Sequence, residues 1–300
     1  NVFELEDSTL NEVSVYRPNE HVTSSDLLVV RRVRANYMYL YLGQSNGTSV
    51  GVEGGTVAYT YVFGGVTWNA TIWAFGLSSS TVLQYSIASM ESSQFDVHDM
   101  TTVNLYINAK FLRMEPTVRS MVVTYLIYLQ NGGLQSARMV LQNVTVTSTN
   151  TYALYLASFP LVAGSSLELL KCNFKTTSTH AVYLVSSIIS DGSRLVFEDT
   201  ALSGMNGLYM SGYQLNSGGL LYMRRTTLTA TSTSYYTLYV LVSGGVIDHD
   251  GSNRHATGQI GVTFSTASSG SRFVLNQSTV YTVSWSAAAS SNTTVTASDV

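Results

Sequence analysis

Few side chains in this sequence could do chemistry, and most of those lie in two short clusters. The denser one is Asp248-His249-Asp250, with His255 a few residues on. On a strand, successive side chains alternate between faces, so Asp248 and Asp250 share one face and His249 takes the other. Paired carboxylates are what acid–base cleavage of a glycosidic bond requires, together with a cation to steady charge on the sugar. The plainer reading is a polar turn running into Gly251-Ser252-Asn253, and it is preferred. In the second cluster, Asp96 and His98 would project together from one outward face beside Asp99, as metal ligands do. No third ligand accompanies them, so a solvated strand face is preferred there. The sequence holds no G-x-S-x-G elbow, phosphate loop, H-E-x-x-H or paired-cysteine motif. Its single cysteine, Cys172, excludes an intramolecular disulfide and reads as a buried, inert thiol. No catalytic residue, metal or cofactor is assigned.

A repeat must position these residues. Met139-Val-Leu-Gln-Asn-Val-Thr-Val146, Leu167-Glu-Leu-Leu-Lys-Cys-Asn-Phe174, Leu195-Val-Phe-Glu-Asp-Thr-Ala-Leu202 and Leu221-Tyr-Met-Arg-Arg-Thr-Thr-Leu228 share one pattern. It runs apolar, any, apolar, two polar, small or β-branched, any, apolar. It returns as Phe3-Glu-Leu-Glu-Asp-Ser-Thr-Leu10, Leu28-Val-Val-Arg-Arg-Val-Arg-Ala35 and Phe273-Val-Leu-Asn-Gln-Ser-Thr-Val280, with weaker members starting near Val57, Leu83, Phe111 and Ile247. A second element, apolar-Tyr-apolar, follows the four strong copies as Leu154-Tyr-Leu156, Val182-Tyr-Leu184, Leu208-Tyr-Met210 and Leu238-Tyr-Val240; Ile127-Tyr-Leu129 extends the series upstream. Ser, Thr, Asn and Gly lie between the elements, as turns require.

Period-2 alternation makes half-buried strands, and the doubled polar pair breaks the alternation, which demands a bend that keeps both flanking apolar sets inward. Starts recur about every 25–29 residues with no helical segment, which predicts an all-β, right-handed parallel β-helix of about eleven coils. At the ~4.8 Å strand spacing such a rod is roughly 50 Å long. A leucine-rich repeat would need a fixed Asn/Cys ladder and a helical return, a propeller blade about 40 residues, and a sandwich no long repeat at all. Residues 1–300 form a single solenoid in this reading. Strand-like sequence with no polar cap at either end marks it as a segment of a longer array.

Composition agrees. Charged residues are only 11% of the chain against roughly 25% in ordinary domains. Val, Thr and Tyr (20 of the last) are abundant, and Pro is rare at 3. The net charge of −3 gives no footprint for nucleic acid. No apolar run approaches the roughly 18 residues of a spanning helix, so no transmembrane segment is expected in this chain.

The coil Gly164-Ser-Ser-Leu-Glu-Leu-Leu-Lys-Cys-Asn-Phe174, its counterpart Asp191-Gly-Ser-Arg-Leu-Val-Phe-Glu-Asp-Thr-Ala-Leu202 and the strand Thr237-Leu-Tyr-Val-Leu-Val242 resemble repeats of the dispersed gene family surface proteins of trypanosomatids. The likeness covers about residues 130 to 280. It implies large, glycosylated, membrane-anchored surface proteins with β-helical ectodomains and an adhesive role. The segment Phe111-Leu-Arg-Met-Glu-Pro116 departs from the pattern by placing Arg113 in an inward slot.

Three outward features follow from the repeat. Tyr128, Tyr155, Tyr183, Tyr209 and Tyr239 should form one column, either as a stacking ladder or as a strip that contacts glycans or other copies of the chain, laterally or end to end. Sequons for N-glycosylation occur at Asn46, Asn69, Asn143, Asn276 and Asn292. Acidic and basic corner pairs alternate between coils: Glu6-Asp7 with Arg31-Arg32, and Glu198-Asp199 with Arg224-Arg225, each within reach of an inter-coil ion pair. The sequence therefore predicts a non-enzymatic extracellular or cell-surface glycoprotein segment with an adhesive or filament-forming role. The alternative is a polysaccharide-active lyase or hydrolase on the same scaffold, marked by outward carboxylates in a groove.

Overall fold

A computed structural model describes residues 2–16, 26–149, 151–250, 253–264, 271–280, 282–287 and 293–298. Its regular elements are all strands, and the 31 of them join one sheet by parallel pairing. The chain winds as a β-solenoid of about eleven turns. Each strand pairs with its counterpart one turn before and one turn after, so identical positions stack into columns along the axis.

One inward column shows how the core is made. Leu141 pairs with Leu169, Leu169 with Phe197, Phe197 with Met223, and Met223 with His249. All five are fully buried. Upstream, the same column reads Val30, Val52, Ala74, Val97 and Val118 before Leu141. In this column the side chains are therefore small in the first half and large in the second, whereas other columns of the first half hold the buried Tyr85, Phe95 and Phe111.

Coil length changes with them. Between Arg138 and Asp250 the turns span 26 to 30 residues, as in Asp199 bonding to Arg225 and Tyr209 pairing with Tyr239. Between Leu27 and Phe75 they span 22, with Leu27 pairing Ser49 and Ser49 pairing Thr71. The expected spacing of about 25–29 residues thus fails over the first half. Val50, Ile72 and Phe95 are the members that follow Leu28. Val57, Leu83 and Phe111, read as weak starts, lie on other faces, beside Ala35, Leu105 and Leu134 respectively. The narrower turns fill this one column with Val and Ala, while the bulk of their core comes from Tyr85, Phe95 and Phe111, whose rings meet edge to face at 5.0 and 5.7 Å.

The doubled polar pair has a backbone cause. Its second residue takes positive φ at Asp7, Arg32, Asn143, Lys171, Asp199, Arg225 and Gln277. This left-handed residue bends the chain between two faces and costs a non-glycine residue roughly 1–2 kcal/mol. In the narrow turns glycine takes the same place at Gly54 and Gly76, with Asp99 following. Arg113 is likewise a positive-φ corner residue and is exposed; Met114 fills the inward slot instead, correcting the sequence expectation.

The small residue after the bend closes the corner. Thr200 Oγ1 donates to Leu169 O at 2.9 Å in the preceding turn and accepts from Cys172 N at 3.3 Å. Thr226 Oγ1 donates to Phe197 O at 3.1 Å, and Asn253 Nδ2 donates to Met223 O at 3.0 Å. Cys172 fills this slot too, with burial pushing its thiol up to about 12, so it is inert.

Candidate functional site

The five outward tyrosines lie in register, half-buried, one per turn. Tyr128 and Tyr155 stack with ring centroids 4.7 Å apart and planes 5° from parallel, and Tyr209 and Tyr239 stack at 4.7 Å. Tyr155 and Tyr183 stack at 5.4 Å, while Tyr183 and Tyr209 are tilted at 6.0 Å. The column starts one turn earlier than expected, at Tyr106, whose ring meets Tyr128 edge-on. A second column, Tyr152, His180, Asn206 and Tyr236, runs beside it, and His180 stacks on Tyr209 at 4.6 Å.

A larger aromatic area lies upstream, which sequence reasoning missed. Tyr37, Tyr39 and Tyr41 form one row and Tyr59, Tyr61 and Phe63 the next. Across the turns their rings are 5.1, 5.3 and 5.2 Å apart, with planes within 20° of parallel, an offset face-to-face arrangement. Along each strand the neighbours are also parallel, at 5.9–6.4 Å. Ring faces are therefore spent on one another, and ring edges with their phenolic oxygens remain for solvent. Tyr16 adds a seventh ring, 72% exposed and tilted over Tyr41. The signal was present: Tyr-x-Tyr-x-Tyr and Tyr-x-Tyr-x-Phe recur 22 residues apart.

The corner charges pair between turns. Arg32 donates twice to Asp7, each at 2.7 Å, and also contacts Glu6. Arg31 reaches instead to Glu53 at 2.7 Å and Glu4 at 3.3 Å. Arg225 meets Asp199 at 2.6 Å and Glu198 at 2.5 Å, and Arg224 lies 3.7 Å from Glu198. Hydrogen bonds from Arg32 and Arg225 hold Asp7 and Asp199 below the usual carboxylate range.

The two candidate chemical clusters resolve differently. Asp248 and Asp250 share the half-buried outer face, and Tyr222 donates to Asp250 at 3.0 Å. Burial, then repulsion from Asp250, raises Asp248. His249 points into the core, where both ring nitrogens lack a partner and its ring stacks on His255 at 5.1 Å. Burial, then His255, drives His249 well below the usual histidine range, and burial lowers His255 to about 3. The imidazoles are thus core side chains held neutral, separated by the strand from the carboxylates. Asp96 is occupied by Arg119 at 2.7 Å and Thr117 at 2.7 Å, and His98 by Asp99 at 2.8 Å. Among the described residues no three His, Cys, Asp or Glu side chains group as a metal site.

Besides a hollow of about 490 Å³ beside Thr9, Arg34 and Thr56, two more interrupt the described surface. One, of about 530 Å³, is walled by Arg113, Glu115, Arg138 and Arg194. Beneath it the nearly buried Glu168 accepts two hydrogen bonds from Arg138, at 3.0 and 2.7 Å, and one from Arg194 at 3.3 Å. Its guanidinium groups are thus turned inward onto a carboxylate. The other, of about 340 Å³, lies beside the aromatic rows.

Of the sequons, Asn46, Asn69 and Asn143 are exposed, and Asn69 Nδ2 donates to Asn46 Oδ1 at 3.1 Å one turn away. Asn276 ends a strand half-buried, and Asn292 lies outside the described residues. Comparison with protein-family profiles, characterised proteins and solved structures finds no match to this chain. Among the described residues no helix is long and apolar enough to cross a membrane.

Proposed function

We propose that the chain is a non-enzymatic structural or adhesive segment of an extracellular or cell-surface protein, acting through its outward aromatic face. One observation carries this reading: half-exposed rings follow one another along a single face from Tyr16 to Tyr239, in a chain where charge is scarce. Exposed apolar surface that continues over many turns is the mark of a contact face, because a free monomer gains nothing by showing it to water. The chemistry at Asp248–Asp250 supports the same view, since its imidazoles are consumed by the core. The likeness of residues 130–280 to surface-protein repeats points the same way. Partners of such a face are glycans or further copies of the chain, and filament formation would be lateral or end to end.

The test compares the natural chain with a variant carrying Tyr39→Ser, Tyr61→Ser, Tyr155→Ser and Tyr183→Ser. Retention on immobilised polysaccharides and light scattering for self-association are the readouts. Loss of both retention and association, with circular dichroism unchanged, is expected. Undiminished binding and association in the variant would remove the aromatic face from the function.

A further inference from the structure

The central aromatic column has one gap, at Gln84, and its neighbour ends beside it, with Ser86 followed by Asn108. Along the axis the central column reads Tyr39, Tyr61, Gln84, Tyr106, and its neighbour reads Tyr41, Phe63, Ser86. Tyr61 and Phe63 therefore carry rings over one face only; toward the next turn they meet an amide and a hydroxyl. Gln84 does not stand in for the missing ring. Its Nε2 donates sideways to Ser86 Oγ at 2.8 Å, which leaves a polar pair at the edge of the uncovered Phe63.

The smaller hollow opens at this step. Tyr16, Tyr41 and Phe63 wall it, Ser86 closes one end, and Gly43, Gly64 and Gly65 make its floor. A Cβ at Gly65 would come within 3.2 Å of Gly43 O and 3.1 Å of Gln44 Cγ, so a side chain there would need its neighbours to give, and Gly43 sits at a φ of 60°. No charged side chain is among the described residues that line the hollow. Its volume, about 340 Å³, falls at the low end of the ~300–1,000 Å³ range of small-ligand clefts.

We propose that this hollow binds a neutral pyranose unit of a glycan. This assignment rests on the reading of the aromatic face as a contact surface and names one site upon it. A sugar ring laid over Ser86 continues the interrupted stack. Its C–H bonds meet the negative face of Phe63, and its hydroxyls reach Ser86 Oγ and the Gln84 amide. Anionic sugars are disfavoured because the described lining of the hollow offers no cation to replace their water. The guanidinium-walled hollow around Arg138 is a poorer site, because Glu168 already occupies its donors.

Titration calorimetry of the full chain with cellohexaose, and separately with a hexamer of galacturonate, tests this. Ser86→Phe should complete the column, fill the sugar's place and weaken cellohexaose binding by at least about tenfold without lowering the thermal transition. Gln84→Ala should weaken it to a lesser degree and adds no bulk, so it keeps the test open if Ser86→Phe misfolds. Tyr155→Ser, on the same face but far along the axis, should lower the affinity less than either variant in the hollow. Natural affinity in both Ser86→Phe and Gln84→Ala would overturn the site. So would equal loss in Tyr155→Ser, although that outcome would leave the broader contact face intact. Binding of the galacturonate hexamer in place of cellohexaose would overturn the neutral assignment.

Discussion

Residues 27–119 and residues 138–250 build the same solenoid in two ways. In the first stretch the turns are short, strands run on around corners (Gln94–Leu112 is 19 residues long), and one core column is Val and Ala. In the second, strands of 4 or 5 residues alternate with turns and with longer strands of 8 to 11 residues, and the same column is Leu, Phe and Met. Coil length, loop content and side-chain size in this column vary together. A shorter perimeter encloses less volume and leaves no residues for loops.

Filling decides where this comparison is easiest to break. Phe197→Ala in the wide stretch should cost about 3–5 kcal/mol, the usual loss for a fully buried ring. Val97→Ala, nearly the same column position in the narrow stretch, removes far less and should cost about 1 kcal/mol or a little more. Urea unfolding followed by hydrogen exchange would assign each loss to its own turns. Equal costs would mean the two cores are packed alike.

Protons sharpen the contrast next. The wide stretch alone holds buried imidazoles, His249 in the Leu–Phe–Met column and His255 beside it. Both have folded-state values depressed below the unfolded value of about 6.5. Their neutral forms therefore contribute fully above pH 6.5, and stability is lost as pH falls below it. By pH 5 the loss reaches about 2 kcal/mol for His255, and His249 adds to it in the same direction. Hydrogen exchange at pH 5 should loosen the turns around residues 221–264 while residues 27–119 keep their protection. His249→Leu should remove much of that dependence; a uniform loss along the chain would contradict this origin.

Corner residues give the smallest effects. Lys171→Gly relieves a left-handed lysine and should stabilise by up to about 1 kcal/mol after the entropy cost of glycine. Arg225→Gln breaks exposed contacts to Glu198 and Asp199 and should lower stability only slightly, and less at high salt. Thermal melts at two salt concentrations would measure both.

The same contrast explains what could be read from the sequence. The wide turns carry Gly-Ser corners, left-handed polar residues and an apolar-Tyr-apolar strand, so their spacing and the tyrosine register from Tyr128 to Tyr239 were legible. The acid–base corner pairs were legible because in-register stacking brings like charges together unless they alternate. The narrow turns lack loop punctuation, and alternating Val, Tyr and Thr gives many equivalent alignments. A 25–29-residue frame laid over 22-residue turns therefore placed Val57, Leu83 and Phe111 on the wrong faces. For the same reason it hid the Tyr37–Phe63 rows. His249 escaped notice as a core residue because its column is otherwise aliphatic and aromatic, and nothing local marks the exception.

Everything above depends on which residues are stacked in the narrow stretch, and paired cysteines read that directly. Tyr39 lies opposite Tyr61 in adjacent parallel strands, at a separation a disulfide can span. Tyr39→Cys combined with Tyr61→Cys should crosslink on mild oxidation, whereas Tyr39→Cys combined with Val66→Cys should not. The buried Cys172 should stay out of either reaction. Crosslinking of the 39–66 pair in preference to the 39–61 pair would restore long turns throughout and dissolve the aromatic rows.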